Sequence, residues 1–370
     1  MLVGVVKEIK DKENRVALTP EGAKALSAAG HQVRIQKGAG NGAGFQDREY
    51  EQAGAAIVEA DAAWQSELVL KVKEPQSQEY RFLQGQILFT YFHLSGVTRE
   101  LTEVLLQSGT TAVAYETVED SEGRLPLLAP MSAVAGNMAV TVGSYYLARI
   151  NGGRGVQLGR VLGKKNGRVL IVGDGVVGRH AAAVAAAMGA EVQMAGRHPE
   201  RQGLLQQEIS PSLGYLPSTP ERLTAELPEI DLLVGAVLRP GARAPYLVSE
   251  EMVKSMPQGS VIVDVSIDQG GCVATSRPTS HSDPVFEKHG VIHYCVTNMP
   301  GAYPRTATVA LTSATLPYVV RLAENGMEAM SSREGLGRGV NTHKGWITYR
   351  QVAEDLGMQE RYRPLTELLR

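Results

Sequence analysis

The chain has 370 residues, of which 43% are apolar and 21% charged, with a formal net charge of −2. That length allows two cores and so two domains, and a near-balanced charge with no Lys/Arg-rich block excludes a nucleic-acid binder. Two cysteines, Cys272 and Cys295, supply neither a disulfide framework nor a metal-ligand spacing, so no metal is expected and the cytoplasm is the natural compartment.

The opening run, MLVGVVKEIKDKENRV, is interrupted by Lys7 and Glu8, unlike a secretory leader. Residues 2–6 predict a strand, 21–29 a helix closed by Gly30, and 32–36 a second strand. Further strands are predicted at 68–72, 87–91 and 111–115, with helical spacing over 98–107 and Thr98 placed to cap it. Residues 121–130 are turn-rich and read as a crossing between domains. Residues 125–148 are long enough to span a membrane, but Pro126, Pro130, Ser132, Asn137 and Gly143 fit a buried helix better, so no membrane contact is expected.

Residues 168–197 carry the strongest local signal. A β-branched run at 168–172 leads into Gly173, Gly175 and Gly178 in G-x-G-x-x-G spacing, then an alanine-rich helix ending at Gly189, then a strand at 191–195. In strand–turn–helix–strand order, these glycines suit a tight turn, close approach of backbone to a pyrophosphate, and close helix–strand packing. An acidic residue that would bond the adenosine ribose is expected at the end of the second strand. Here Ala195 and Gly196 stand there, followed by Arg197, His198 and Arg201. Those cations suit a 2′-phosphate, or lie on a solvated loop.

Strands follow at 231–236, 260–266 and 291–296, and helical periodicity returns over 311–326, after which the sequence reads as polar helices without strand partners. Such alternation implies an α/β fold of two Rossmann-like, doubly wound domains. The glycine motif lies mid-chain. The expected division is therefore a dinucleotide-binding domain at 129–308 inserted into a discontinuous substrate domain of 1–128 and 309–370.

Four strand ends carry groups suited to chemistry. Arg15 lies between a polar turn and a helix start, and Lys71 and Lys73 end an apolar strand on one face. His93 lies just past a strand, and Asp268 precedes a pair of glycines beyond another. Each alone is a weak signal: a lone His at a strand end is more often structural than catalytic, and a lone Arg is usually surface or capping.

Taken as ordered blocks, the chain resembles the alanine dehydrogenase / pyridine nucleotide transhydrogenase family. The blocks are GVVKEIKDKENRVALTP (4–20), KVKEP (71–75), FTYFHL (89–94), YETVE (115–119), LPLLAPMSAVAG (125–136), GDGVVG (173–178), GAVLRPGARAP (235–245), VIVDVSIDQGG (261–271) and YCVTNMPGAYPRTAT (294–308). Val6 replaces the family's usual Pro, Asn137 replaces a frequent Arg, and Gly196 replaces the acid. The resemblance implies reversible oxidative deamination of L-alanine to pyruvate and ammonia by a homohexamer. It implies that Arg15 and Lys73 hold the substrate, with Met131 in contact, that His93 is the acid/base group, and that Asp268 assists. The chemistry suits those residue types: guanidinium forks orient carboxylates, and imidazoles ordinarily titrate near neutrality. Lys71 matches no family site and reads as structural. The implied cofactor contacts are Ser132, Gly173, Gly175, Val176, Val177, Gly178, Gly196, Arg197, Ser218, Val237, Leu238, Arg277, Asn298 and Met299. NAD(H) follows from the resemblance, while Gly196 followed by Arg197 leaves room for NADP(H). A transhydrogenase hydride-transfer subunit and a catalytically silent nucleotide-binding module are the alternatives.

Overall fold

The computed structural model describes residues 1–239, 243–331 and 335–369. Pro240, Gly241 and Ala242, inside one of the resemblance blocks, lie outside the described residues. The strands are β1 (Leu2–Val5), β2 (Gln32–Gln36), β3 (Ala56–Val58), β4 (Leu68–Leu70), β5 (Ile87–Thr90) and β6 (Thr111–Ala114). Next come β7 (Gly159–Val161), β8 (Lys164–Asn166), β9 (Arg168–Val172), β10 (Glu191–Gly196), β11 (Gly214–Pro217), β12 (Leu232–Gly235) and β13 (Val261–Asp264). β14 (Val285–Lys288), β15 (Val291–Tyr294), β16 (Val340–His343) and β17 (Trp346–Ile347) complete the set.

The chain divides into two compact units, Met1–Met131 with Gly301–Arg370, and Ser132–Pro300. The boundary falls inside the helix Ala129–Leu147. No helix among the described residues is long and apolar enough to cross a membrane.

The first unit holds a sheet in the order β17-β16-β6-β5-β4-β1-β2-β3, with β1 to β6 parallel. The second holds β11-β10-β9-β12-β13-β15-β14, parallel except at the β14 edge. Successive side chains along a strand point to opposite faces, and both faces are buried. Val3, Leu68, Leu70 and Phe89 enter one core of the first unit, under Leu311, Val319 and Leu322 of the helix Pro304–Asn325. Val69, Leu88 and Ala112 enter the other, under Leu101 and Leu105 of the helix Arg99–Ser108. In the second unit, Val169, Ile171 and Val234 meet Ala181, Ala182 and Ala185 of the helix Val176–Met188. Leu170, Val172 and Leu233 pack against Leu223, Met252 and Val253. These are doubly wound α/β units, and the second is inserted into the first.

One expectation is overturned. The sequence after residue 308 is not all helix, because β16 pairs antiparallel with β6 and turns back into β17. Lys344 and Gly345, both at positive φ, make the two-residue hairpin loop. Four- and two-residue strands are too short to show a period of two, which hides them in the sequence. The apolar run of β4 also stops at Leu70, so Lys71 and Lys73 lie in the loop beyond the strand.

Candidate functional site

Both sheets wind outward in two directions from one strand, β1 in the first and β9 in the second, and loops past the carboxyl ends beside such a strand are where ligands bind. In the first unit the adjacent strands β1, β4, β5 and β6 are followed by Arg15, Lys73, His93 and Glu116.

Arg15 is 2% exposed. Glu13 grips it bidentately, at 2.7 Å from Nε and 2.5 Å from Nη2, while Nη1 lies 3.0 Å from the Met131 sulfur. The fork expected to grip a substrate carboxylate therefore already holds an internal one on one edge, as a buried guanidinium requires a counter-charge. Burial opposes the Arg15 charge, and Glu13 more than offsets this, so its pKa is raised.

Lys73 is buried, its Nζ 3.9 Å from Glu74, and Glu8 accepts from the backbone N–H of Val72 and Lys73 at 2.6 and 3.4 Å. The other Glu8 oxygen meets Lys71 at 3.1 Å, and Lys71 also meets Glu79 at 2.9 Å. Lys71 is wholly buried and closed in by these partners. Burial raises the Glu8 carboxyl, with Lys71 opposing; burial opposes the Lys71 ammonium, but Glu8 and Glu79 raise it on balance.

His93 has φ 48°, ψ 42°, a left-handed backbone that is strained for any residue but glycine. Glu116 holds it there, accepting from the N–H groups of Phe92 and His93 at 3.3 and 2.6 Å. The ring stacks parallel on Tyr91, with centroids 5.8 Å apart, and the Tyr91 hydroxyl donates to the Leu127 carbonyl at 2.5 Å. Burial pushes the Tyr91 hydroxyl pKa up against the pull of Arg15, so the phenol stays neutral. Glu8, Glu13, Tyr91 and Glu116 were not singled out in the sequence. Only Glu13 carried a local signal, an acid two residues from an arginine.

In the second unit, Gly196 ends β10, and Gly173, Ser218, Val237, Asp268 and Asn298 follow carboxyl ends of other strands in the same sheet. Gly173 has φ 120°, and a Cβ there would overlap the Ala236 carbonyl. A Cβ on Gly178 would overlap the Gly173 carbonyl. A Cβ on Gly175 would meet nothing within 4 Å, and the helix that Gly175 starts has no side-chain cap and no acid in its first turn. The open glycine and uncapped N–H groups of Val176 and Val177 fit a dinucleotide pyrophosphate. Ser218 N–H donates to the Gly196 carbonyl at 2.9 Å, and Val237 N–H to Ser266 Oγ at 2.9 Å. Leu238 is exposed and Met299 buried. Asp268 accepts from the Asn298 N–H at 3.2 Å, with Asn298 at φ 61°. The other aspartate of that block, Asp264, is wholly buried and accepts from Ser266, Cys272, Val273 and Ser276, so it is structural. Ser132 is half-buried in the long helix, and the Arg277 guanidinium stacks 4.2 Å from the Phe286 ring on the edge strand.

The space beside Gly196 is filled. A Cβ there would overlap the Tyr215 hydroxyl, so an acidic side chain could not be placed there by substitution without moving Tyr215. Arg197 is exposed, and Arg201 Nη1 lies 3.8 Å from Asp174.

Two doubly wound α/β units, one bearing a glycine turn open to a pyrophosphate, define a dehydrogenase-type protein of the Rossmann class. The chain belongs to the alanine dehydrogenase/PNT family: the N-terminal domain of that family matches residues 4–135 and its C-terminal domain residues 139–350. It is 49% identical to alanine dehydrogenase of Bacillus subtilis over 364 residues, covering 97% of this chain and 96% of that one. It is 50% identical to alanine dehydrogenase of Halomonas elongata, with 97% and 98% covered. A solved L-alanine dehydrogenase superposes with a TM-score of 0.92 at 49% identity, covering 96% of this chain and 99% of the other.

Proposed function

We propose that this chain is an L-alanine dehydrogenase, interconverting L-alanine and water with pyruvate and ammonia by hydride exchange with a pyridine dinucleotide. The observation that carries this reading is the placement of Arg15, Lys73 and the Tyr91-stacked His93 past the ends of the adjacent strands β1, β4 and β5, with Met131 of the long helix against Arg15. The first unit is the substrate domain and the second the dinucleotide domain.

Glu13 orients Arg15 before substrate arrives, and the substrate carboxylate is received from the Nη1 side, where Met131 lies. Lys73 faces the keto or amino end. The bound nicotinamide supplies the hydride acceptor for the substrate Cα. Water then adds to the iminium carbon, and His93 takes its proton and returns one to the departing amine. Asp268, carried by the second unit, is given the part of an assisting carboxylate by the family resemblance. Ordering of His93 by Glu116 and Tyr91 keeps the ring in one place through both proton transfers.

NAD(H) is the expectation from the family, and the groups beside Gly196 govern whether NADP(H) is accepted. The assembly is proposed to be a homohexamer in the cytoplasm, checked by sedimentation of the full chain. The function is tested spectrophotometrically, following oxidation of NADH and of NADPH with pyruvate and ammonium, each omitted in turn. Oxidation that requires both substrates is expected. Oxidation without them would indicate transhydrogenase-type exchange, and binding without turnover would indicate a silent module.

A further inference from the structure

A dinucleotide site places a carboxylate at the end of the second strand to bond the adenosine ribose hydroxyls and repel a 2′-phosphate. This chain has Gly196 there, yet the structure keeps a carboxylate at that point from elsewhere in the chain. The position a Gly196 Cβ would take lies 2.9 Å from Cγ of Asp174, the middle residue of the glycine turn. Tyr215, on the neighbouring strand β11, donates its hydroxyl to Asp174 Oδ2 at 3.0 Å, and the same oxygen of Tyr215 accepts the His198 N–H at 3.1 Å. Tyr215 is thus held by the backbone just past β10 while it holds Asp174. Its side chain is 16% exposed, and Oδ1 makes no hydrogen bond among the described residues.

We propose that Asp174, positioned by Tyr215, is the acid that receives the adenosine ribose diol in this chain and so selects NAD(H) over NADP(H). The inference rests on reading the second unit as a dinucleotide site. Glycine at 196 is the other half of the arrangement, because any side chain there would expel the Tyr215 hydroxyl. Of the cations near this point, Arg197 is exposed, while the others already meet acids. Arg179 meets Glu208 at 3.2 Å, His198 meets Glu200 at 3.0 Å, and Arg201 stands 3.8 Å from Asp174 itself. A 2′-phosphate placed here would have to approach the Asp174 carboxylate and compete with it for Arg201. A ribose 2′-hydroxyl would instead donate to Oδ1 in a charge-assisted bond.

The test is equilibrium binding of NADH and NADPH to the full chain, read by cofactor fluorescence, with thermal melting to check that each variant is folded. The unmodified protein is expected to bind NADH at least about tenfold more tightly than NADPH, the range of one charge-assisted hydrogen bond. Asp174→Asn should weaken NADH, strengthen NADPH and bring the two to within about threefold of each other. Tyr215→Phe leaves the glycine turn intact and should narrow the ratio in the same direction by a smaller factor. Tight NADH binding with a ratio unchanged in both variants would overturn the role of Asp174 alone. Equal or tighter binding of NADPH by the unmodified protein would overturn the selectivity. Failure to bind either nucleotide would overturn the reading of the second unit, and the inference with it.

Discussion

In the first unit the groups past the strand ends are kept in place by carboxylates: Arg15 by Glu13, Lys71 by Glu8 and Glu79, the His93 backbone by Glu116. In the second unit the corresponding loop is mostly bare backbone, with Gly173 and Gly178 pressed against carbonyl oxygens and Gly175 facing open space. The difference follows from the ligands proposed for each. A small amino acid offers few atoms to hold, so orientation must come from pre-set charges at low dielectric. A pyrophosphate is large and anionic, and a helix N-terminus meets it with N–H groups provided that no side chain intervenes. Damage to the first unit should therefore act through electrostatics, and damage to the glycine turn through sterics.

The largest separation of the two is expected from His93→Ala. Turnover should fall by about 10²–10⁴-fold while NADH affinity is unchanged, since the loss is one of proton transfer. Steady-state rates with parallel fluorescence titration check it, and near-normal turnover would remove His93 from the acid/base role.

Lys71→Ala should cost about 3–5 kcal/mol of stability, because Glu8 and Glu79 would be left as uncompensated buried carboxylates. Lys71→Met should be better tolerated at low pH, where Glu8, already raised by burial, takes up a proton. Urea melts at two pH values distinguish a charge effect from a packing one.

The second unit has its own buried titratable group. His293 is wholly buried in β15, with Nδ1 2.9 Å from the Val291 carbonyl, Nε2 2.7 Å from Thr275 Oγ1, and the ring stacked on Phe286. Burial, aided by Lys288 and His289, pushes its pKa down to about 4. A base depressed on folding contributes stability that is present above its ordinary pKa near 6.5 and is lost as pH falls toward 4. That loss is about 3 kcal/mol once both states are protonated. His293→Gln should flatten the decline of stability between pH 7 and pH 4, and an unaltered decline would place its origin elsewhere.

The smallest effects sharpen the steric side. Gly178→Ala should destabilise by about 1–3 kcal/mol, as its methyl would overlap the Gly173 carbonyl. Gly175→Ala should change stability by less than about 0.5 kcal/mol yet weaken dinucleotide binding, because its methyl enters open space in front of the helix. Thermal melts and titrations of both variants decide it; equal destabilisation would mean that the turn is built differently.

The helix Val176–Met188, with Gly189 closing it in a left-handed conformation, and the glycine turn before it were legible from the residues. These are local matters, written in spacings of a few residues that either allow a backbone shape or forbid it. The two-unit expectation came from where the turn sits in the chain, and Arg15, Lys73, His93 and Asp268 could be proposed as site residues because the blocks that carry them resemble the family's. What held those side chains was not legible. Glu116 reaches His93 only because β6 lies beside β5, and Tyr215 reaches Asp174 only because β11 joins the sheet beyond β10. The loss of an acid at Gly196 looked in sequence like an opening for phosphate. In the fold it is space for a hydroxyl that steadies another acid, because sheet order decides which distant side chains become neighbours and spacing along the chain does not.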